Sequence, residues 1–235
     1  ISAITALSFR EVNFYKNADN KKHHKAIKNG IDTFRDAASF LVKSRKILIF
    51  NLLSITVIGM AGIVDEYDPL IAKEYGLSMG LVGIWVGIRF IFCSFGSYIA
   101  YFLKYVCRKI FKAKDIIFII SLICITANLS LFAAGMIKHL WVMGLYGMYF
   151  LLLSAAEVLQ EDYIQQNIGE EGRSTVHSLL SLASSTYGIL ACFLLGAVLK
   201  AISIHEMLVV LSIYGISLII LLCLLFIWTK PRVKY

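Results

Sequence analysis

Proline and charged residues are scarce in this chain. Only two prolines interrupt its 235 residues, and charged side chains make up 16% of them, whereas 59% are hydrophobic. The mean hydropathy is +0.76. This composition excludes an ordinary soluble domain and indicates an integral membrane protein. The long apolar runs favour helices, because the strands of a membrane barrel need only about 10 residues of alternating polarity.

Patterns typical of metal sites and membrane metalloproteases are also missing. The five cysteines show no metal-ligand spacing, and we interpret them as small buried side chains. The five histidines never form a His-Glu-x-x-His pattern, and the pair His23 and His24 lies beside lysines without an acid or cysteine at ligand spacing. We therefore expect no metal, no cofactor and no enzymatic activity.

Six apolar spans organise the sequence into one all-α membrane bundle over residues 47–229. The predicted spans are 47–66, 77–103, 115–137, 140–159, 175–199 and 207–228. Residues 1–9 are interpreted as the end of a preceding transmembrane helix. Residues 10–46 are interpreted as a basic linker with an amphipathic helix at the membrane surface, and residues 230–235 as a polar tail.

The distribution of lysine and arginine explains the net charge of +8. Nearly all of these residues lie in the linker, in alternate connections and in the tail, whereas the other connections hold only Lys73, Lys138 and Lys200. The positive-inside rule therefore predicts that the linker and the C-terminus are cytoplasmic and that the acidic turn at Asp65 lies outside. Since topology accounts for the charge, we expect no nucleic-acid partner.

A single arginine, Arg89, interrupts the second apolar span. It lies about 12 residues into the span, or about 18 Å at helical rise, near the middle of a bilayer about 30 Å thick. A charge at that depth costs about 2.5 to 3.5 kcal/mol on the insertion scale, so it normally faces a bundle interior or a wet cavity. Two hypotheses stay open: a structural arginine held by a carbonyl oxygen or an acid, and a cavity charge that meets a substrate or modulates a carboxylate.

Helical spacing places Arg89 opposite a set of glycines in the second span. The Arg89 face also carries Val82, Trp85, Cys93 and Gly96. The other face carries Gly76, Gly80, Gly83 and Gly87. Because small residues let helix backbones approach closely, we expect these glycines to pack against a neighbouring helix.

Other polar residues in or beside the spans are candidates for a substrate or proton pathway. They are Asp65 and Glu66 at the acidic turn, Asn128 in the third span, Tyr146 and Glu157 in the fourth, and Tyr187 in the fifth. A buried amide or phenol joins helices more often than it binds a ligand. Glu157 is either a coupling carboxylate or the first residue of a polar run that reaches water.

The fifth span carries a stripe of small residues at steps of three or four. Its members include Ser178, Ser181, Ser185 and Gly188. Such a stripe either lets another helix pack closely or lines a passage without blocking it. We expect close packing.

Several motifs resemble the C-terminal six helices of the major facilitator superfamily. The run Gly172 to Ser178 is similar to the Arg-Ala-Thr-Val-x-Ser run that opens helix eleven in many members. The acidic turn from Glu66 to Ser78 resembles the turn between helices seven and eight of bacterial members. The run Gly96 to Lys109 resembles the family's Gly-x-x-x-Asp-Arg loop, but the aspartate is absent, which puts its gating salt bridge in doubt.

The resemblance implies a secondary transporter that moves a small organic solute by alternating access, with proton coupling and a role such as drug or metabolite efflux. Its partners would be the lipid bilayer, an N-terminal six-helix half, the solute and a proton. The expected location is a bacterial-type plasma (inner) membrane, which the chain crosses several times. The alternative is a non-transporting scaffold or sensor derived from such a bundle.

Overall fold

The computed structural model describes residues 35, 39, 45–112, 115–167, 173–198 and 202–229. These residues form an all-helical fold, which confirms the predicted all-α class. The helices are α1 (Arg45–Glu66), α2 (Asp68–Glu74), α3 (Met79–Phe111), α4 (Ile116–Met136), α5 (Met143–Asn167), α6 (Arg173–Val198) and α7 (Ile204–Thr229). A single 3-10 turn, Leu140–Val142, leads into α5. Among the described residues, six helices are long and apolar enough to cross a membrane, as predicted, and the short α2 is not one of them.

The long helices form one bundle in which consecutive members alternate in direction. α3 packs most extensively on α5, α4 packs on α7 and α5, and α1 packs on α6. We call the end that contains Asp65 and α2 the acidic end. We call the opposite end, where α3 finishes with Arg108 and Lys109, the basic end.

Two helices extend well beyond the apolar spans predicted for them. α3 continues past residue 103 to Phe111, and α5 continues past residue 159 to Asn167. Hydropathy marks only the apolar part of a helix, whereas lysine, arginine and glutamine are good helix formers that continue the hydrogen-bonded backbone into a polar region. Lys112 follows the last residue of α3 as its C-cap, and its φ of 51° is left-handed.

The two predicted faces of α3 differ in how they pack. The face with Arg89 is buried, and Gly96 on that face lies against the backbone of Leu151 in α5 so closely that a Cβ would overlap it. Among the described residues, no atom lies within 4 Å of a Cβ added at Gly80, Gly83 or Gly87. Gly76 lies outside α3, in the turn after α2, where its φ of +89° favours glycine. A role for these glycines in packing stays a prediction.

Several sequence predictions fall outside the described residues. They are the helix end over residues 1–9, most of the linker over residues 10–46 with its amphipathic helix, and the tail over residues 230–235.

Candidate functional site

Arg89 is paired with two aspartates at the acidic end. Its Nε lies 3.1 Å from Oδ2 of Asp68, and its Nη1 forms an ion pair with Oδ1 of Asp65. The side chains of Arg89 and Asp68 are only 7% and 2% exposed, whereas that of Asp65 is 51% exposed. The pair of Arg89 and Asp68 therefore joins two buried charges, the arrangement expected for a charge inside a membrane bundle.

Aromatic side chains enclose this ion pair. Trp85 lies one helical turn before Arg89, and its Nε1 donates a hydrogen bond to Oδ1 of Asp68 at 3.0 Å. The Tyr146 ring stacks on Trp85 with ring centroids 5.9 Å apart, and the Tyr146 hydroxyl donates to the Val64 carbonyl oxygen at 3.4 Å. The Arg89 guanidinium lies 4.6 Å from the centroid of Phe150. We call Asp65, Asp68, Trp85, Arg89 and Tyr146 the acidic-end cluster.

Local sequence explains how Asp68 reaches this position. Pro69 fixes the start of α2, and Asp68 lies in its first turn, where the helix dipole favours a negative charge. Burial raises the pKa of Asp68 above its ordinary value, although the hydrogen bond from Trp85 and the charge of Arg89 act in the opposite direction. Asp68 lies outside the apolar spans and is easier to protonate than an exposed aspartate, and a protonated Asp68 would bind Arg89 less strongly.

A second set of contacts fixes the other end of α2. The Tyr75 hydroxyl donates a hydrogen bond to the Ala134 carbonyl oxygen of α4, and burial raises the pKa of Tyr75 to about 12, so the phenol keeps its proton near neutral pH. Nε2 of His205 in α7 lies 3.8 Å from Oε1 of Glu74. These contacts hold α2 across the acidic end and so position Asp68.

A pocket of about 680 Å³ opens between α1 and α6 toward the acidic end. Glu66 lies in its wall, together with Ser185 and Gly188 from the small-residue stripe of α6. We call it the acidic-end pocket. The structure thus places Glu66 beside a space large enough for a solute, although no ion pair joins it to Arg89 among the described residues.

A second cavity, of about 410 Å³, lies nearer the basic end between α1, α3, α5 and α6. Glu157 and Ser181 line it, and Ile58 and Ser184 line both this cavity and the acidic-end pocket. We call it the basic-end cavity. The two spaces therefore meet at Ile58 and Ser184 and follow the surface between α1 and α6.

The remaining candidates lie elsewhere. Asn128 is buried, donates to the Cys124 carbonyl oxygen at 2.8 Å and faces Gly215 of α7, so it is part of the packing between α4 and α7. Tyr187 packs on Gly59 of α1, and its hydroxyl is 3.2 Å from that of Tyr214. Ser178 is exposed and lines neither of these two spaces.

Sequence reasoning missed two residues that the structure brings forward. Asp68, the buried partner of Arg89, is not among the predicted pathway residues, although its place just before Pro69 is typical of the first residue of a helix. Gln160 belongs to the polar run that begins at Glu157 and for which one hypothesis was exposure to water, yet it is only 1% exposed. No local signal in the sequence distinguishes it from Glu161, which is exposed.

The chain matches none of the protein-family models and none of the curated proteins with which it was compared. Its assignment therefore depends on its own geometry. Six helices of membrane-spanning length and composition indicate a multi-pass integral membrane protein that contacts a lipid bilayer.

Proposed function

We propose that this chain is the C-terminal six-helix bundle of a major facilitator type transporter, which moves a small organic solute by alternating access and couples it to protons. The observation that carries the proposal is the buried pair of Arg89 and Asp68 within a bundle of membrane-spanning helices. Ionisable groups inside membrane bundles are rare and costly, and they commonly mark ion or solute pathways.

The helices differ widely in the share of their residues that is buried. This difference supports a bundle that packs against a further partner on one side. In the most apolar stretch of α5, 67% of the residues are buried, whereas the corresponding shares are 22% in α3 and 11% in α6. α6 also lines both the acidic-end pocket and the basic-end cavity. In the proposed function this surface faces a second six-helix half, and the solute binds between the two halves near the middle of the membrane.

The acidic-end cluster supplies a candidate for proton coupling. In this proposal a proton that binds Asp68 weakens its hold on Arg89, and Arg89 then pairs only with the more exposed Asp65. The helices α1, α2 and α3 meet at this cluster. The change in the ion pairs of Arg89 would therefore shift the position of α1 at the surface that faces the solute.

The test is solute-driven proton movement in proteoliposomes of the full-length protein, with a panel of cationic, neutral and anionic solutes. We expect proton flux with one class of solute and its loss in Arg89→Ala. Lys104→Ala is the matched control, because it removes the other ion pair of α3, in which Nζ lies 3.5 Å from Oδ2 of Asp162. Arg89→Lys tests whether a positive charge alone is enough in a folded protein.

The absence of flux with every solute, together with no uptake of labelled solute under a sodium gradient or without one, would contradict a transporter. Specific binding of a partner by a folded protein without transport would instead favour the scaffold or sensor alternative. That alternative is supported by the ion pairs of Arg89 with Asp65 and Asp68, because a purely structural arginine has the same contacts.

A further inference from the structure

The basic-end cavity has the size and the lining of a binding site for a small polar solute. Its volume of about 410 Å³ falls in the range of about 300 to 1,000 Å³ that is usual for ligand pockets. Its polar wall includes Ser54, Ser154, Glu157, Gln160, Glu161 and His177. Nothing in the proposed function so far uses this combination of side chains.

The charges that line the cavity are unbalanced. Glu157 and Glu161 lie one helical turn apart on α5, and neither has an ion-pair partner among the described residues. The described lining contains no lysine or arginine, and His177 is its one basic side chain. Lys104, on the neighbouring α3, is already paired with Asp162. A cation inside the cavity would supply the missing positive charge.

Gln160 provides an independent sign of a missing ligand. It lines the cavity and is only 1% exposed, and its Oε1 accepts a hydrogen bond from Ser54 Oγ at 3.2 Å. Its Nε2 is buried without a partner among the described residues. Turning the amide over would change which atom is unpaired but would still leave one unpaired. A buried amide atom without a partner costs about 1 to 3 kcal/mol, so a ligand group that satisfies it would bind favourably.

Part of the wall is apolar and suits the body of an amphipathic molecule. Ile58, Val158, Ile164 and Leu180 lie among the polar groups. A metal ion would not use these side chains, and no group of three or more His, Cys, Asp or Glu in the described part of the chain is arranged to hold one.

We propose that the basic-end cavity binds a small organic ammonium ion that also carries a hydroxyl or carbonyl oxygen. The ammonium group lies against the carboxylates of Glu157 and Glu161, the oxygen bonds to the Gln160 amide, and the carbon skeleton contacts the apolar wall. This inference rests on the proposed function, because it names the chemical class of its solute.

Binding of tyramine to the purified full-length protein tests the proposal, because matched analogues change one feature at a time. Tyrosol replaces the ammonium group with a neutral hydroxyl, 4-hydroxyphenylacetate carries a negative charge, and phenethylamine lacks the phenol oxygen. We expect tyramine to bind about 10- to 100-fold more tightly than tyrosol, as is usual for hydrogen bonds to a charged group, and the anion to bind more weakly still.

Two variants locate the contacts. Glu157→Gln keeps the shape of the side chain, and we expect it to weaken tyramine binding about 10-fold or more while leaving tyrosol unaffected. Gln160→Met removes the amide, and we expect it to weaken tyramine about fivefold and phenethylamine hardly at all. Glu74→Gln is the control, because it neutralises a carboxylate at the acidic end that does not line the cavity. Thermal unfolding of each variant checks that it is folded.

Equal affinity for tyramine and tyrosol, unchanged binding in folded Glu157→Gln, or no tyramine binding up to about 10 mM would each overturn the proposal. The two proposals fail separately. Tyramine binding in the expected pattern without any solute movement in proteoliposomes would support the ammonium site and contradict the transport function. Transport of another solute without tyramine binding would support the transport function and contradict the ammonium site.

Discussion

The acidic-end cluster and the basic-end cavity place charge inside the same bundle in opposite ways. Around Arg89, the rings of Trp85, Tyr146 and Phe150 fill the space, and each charge has a partner. Around Glu157, serines and an amide leave a cavity, and the carboxylate has no cation among the described residues. Large aromatic side chains close one site, and small polar ones leave the other open.

This contrast suggests different roles for the two regions. A buried ion pair holds helices in register, and removing one partner leaves the other as a buried charge without compensation. An unpaired carboxylate beside a cavity gains most from a ligand that brings the opposite charge. The following changes test the contrast.

The largest effect is expected from breaking the buried pair. Either Arg89→Ala or Asp68→Ala leaves a charge with weaker compensation, and we expect each to lower the free energy of unfolding by about 3 to 5 kcal/mol. The double variant should lose less than the two single losses added together, because it leaves neither of these charges behind. Unfolding in detergent, followed by tryptophan fluorescence, measures both. Additive losses would contradict a direct pair.

Gly96 lies between the two regions, where α3 meets α5, and a side chain there should disturb both. In Gly96→Ala the new Cβ would overlap the carbonyl group of Leu151, and we expect a loss of about 1 to 3 kcal/mol. Gly83→Ala on the opposite face is the control, since nothing in the described part of the chain lies within 4 Å of its Cβ. Thermal unfolding should rank the two variants, and equal stability would show that the packing of α3 on α5 is looser than described.

The raised pKa of Asp68 predicts a pH dependence at the acidic end. Because the folded protein holds this proton more tightly than the unfolded chain, the contribution of Asp68 to stability is complete below the ordinary carboxyl pKa of about 3.9 and declines as the pH rises through the raised value. The stability of the wild type relative to Asp68→Asn should therefore fall over that interval. A constant difference in melting temperature across the pH series would contradict it.

The smallest effect is expected at the basic end, in the pair of Lys104 and Asp162. Both side chains are partly exposed, at 19% and 23%, and such pairs contribute up to about 1 kcal/mol. Lys104→Ala should therefore unfold within about 1 kcal/mol of the wild type, and added salt should reduce the difference further. A loss as large as that of Arg89→Ala would show that this pair is also a buried structural charge.

Much of the fold could be predicted from the residues in chain order. The apolar spans are continuous in sequence, so their number follows from hydropathy alone. The face of α3 that carries Arg89 also followed from local spacing, because the helical period fixes which side chains lie together on one helix. The helix ends were less predictable, since α3 and α5 continue through polar residues that hydropathy reads as loops.

The candidate site was only partly predictable. Spacing indicated that Arg89 needs a partner, and Asp65 was among the candidates, but the buried partner is Asp68. The choice among neighbouring acids depends on where α1 ends and α2 begins, and a shift of one residue turns a helical side chain by about 100°. Asn128 shows the same limit, because only the position of α7 decides that it faces Gly215 and not a cavity.

The sequence by itself indicated that this protein lies in a lipid bilayer and predicted the number of its long helices, because both depend on the amount of apolar surface along the chain. Only the tertiary structure decided which charges meet and which remain unpaired. Arg89 and Asp68 are paired because α2 lies across the acidic end, whereas Glu157 and Gln160 border a cavity because four helices meet there without filling it. Those outcomes depend on the distances between helices, which no single stretch of sequence specifies.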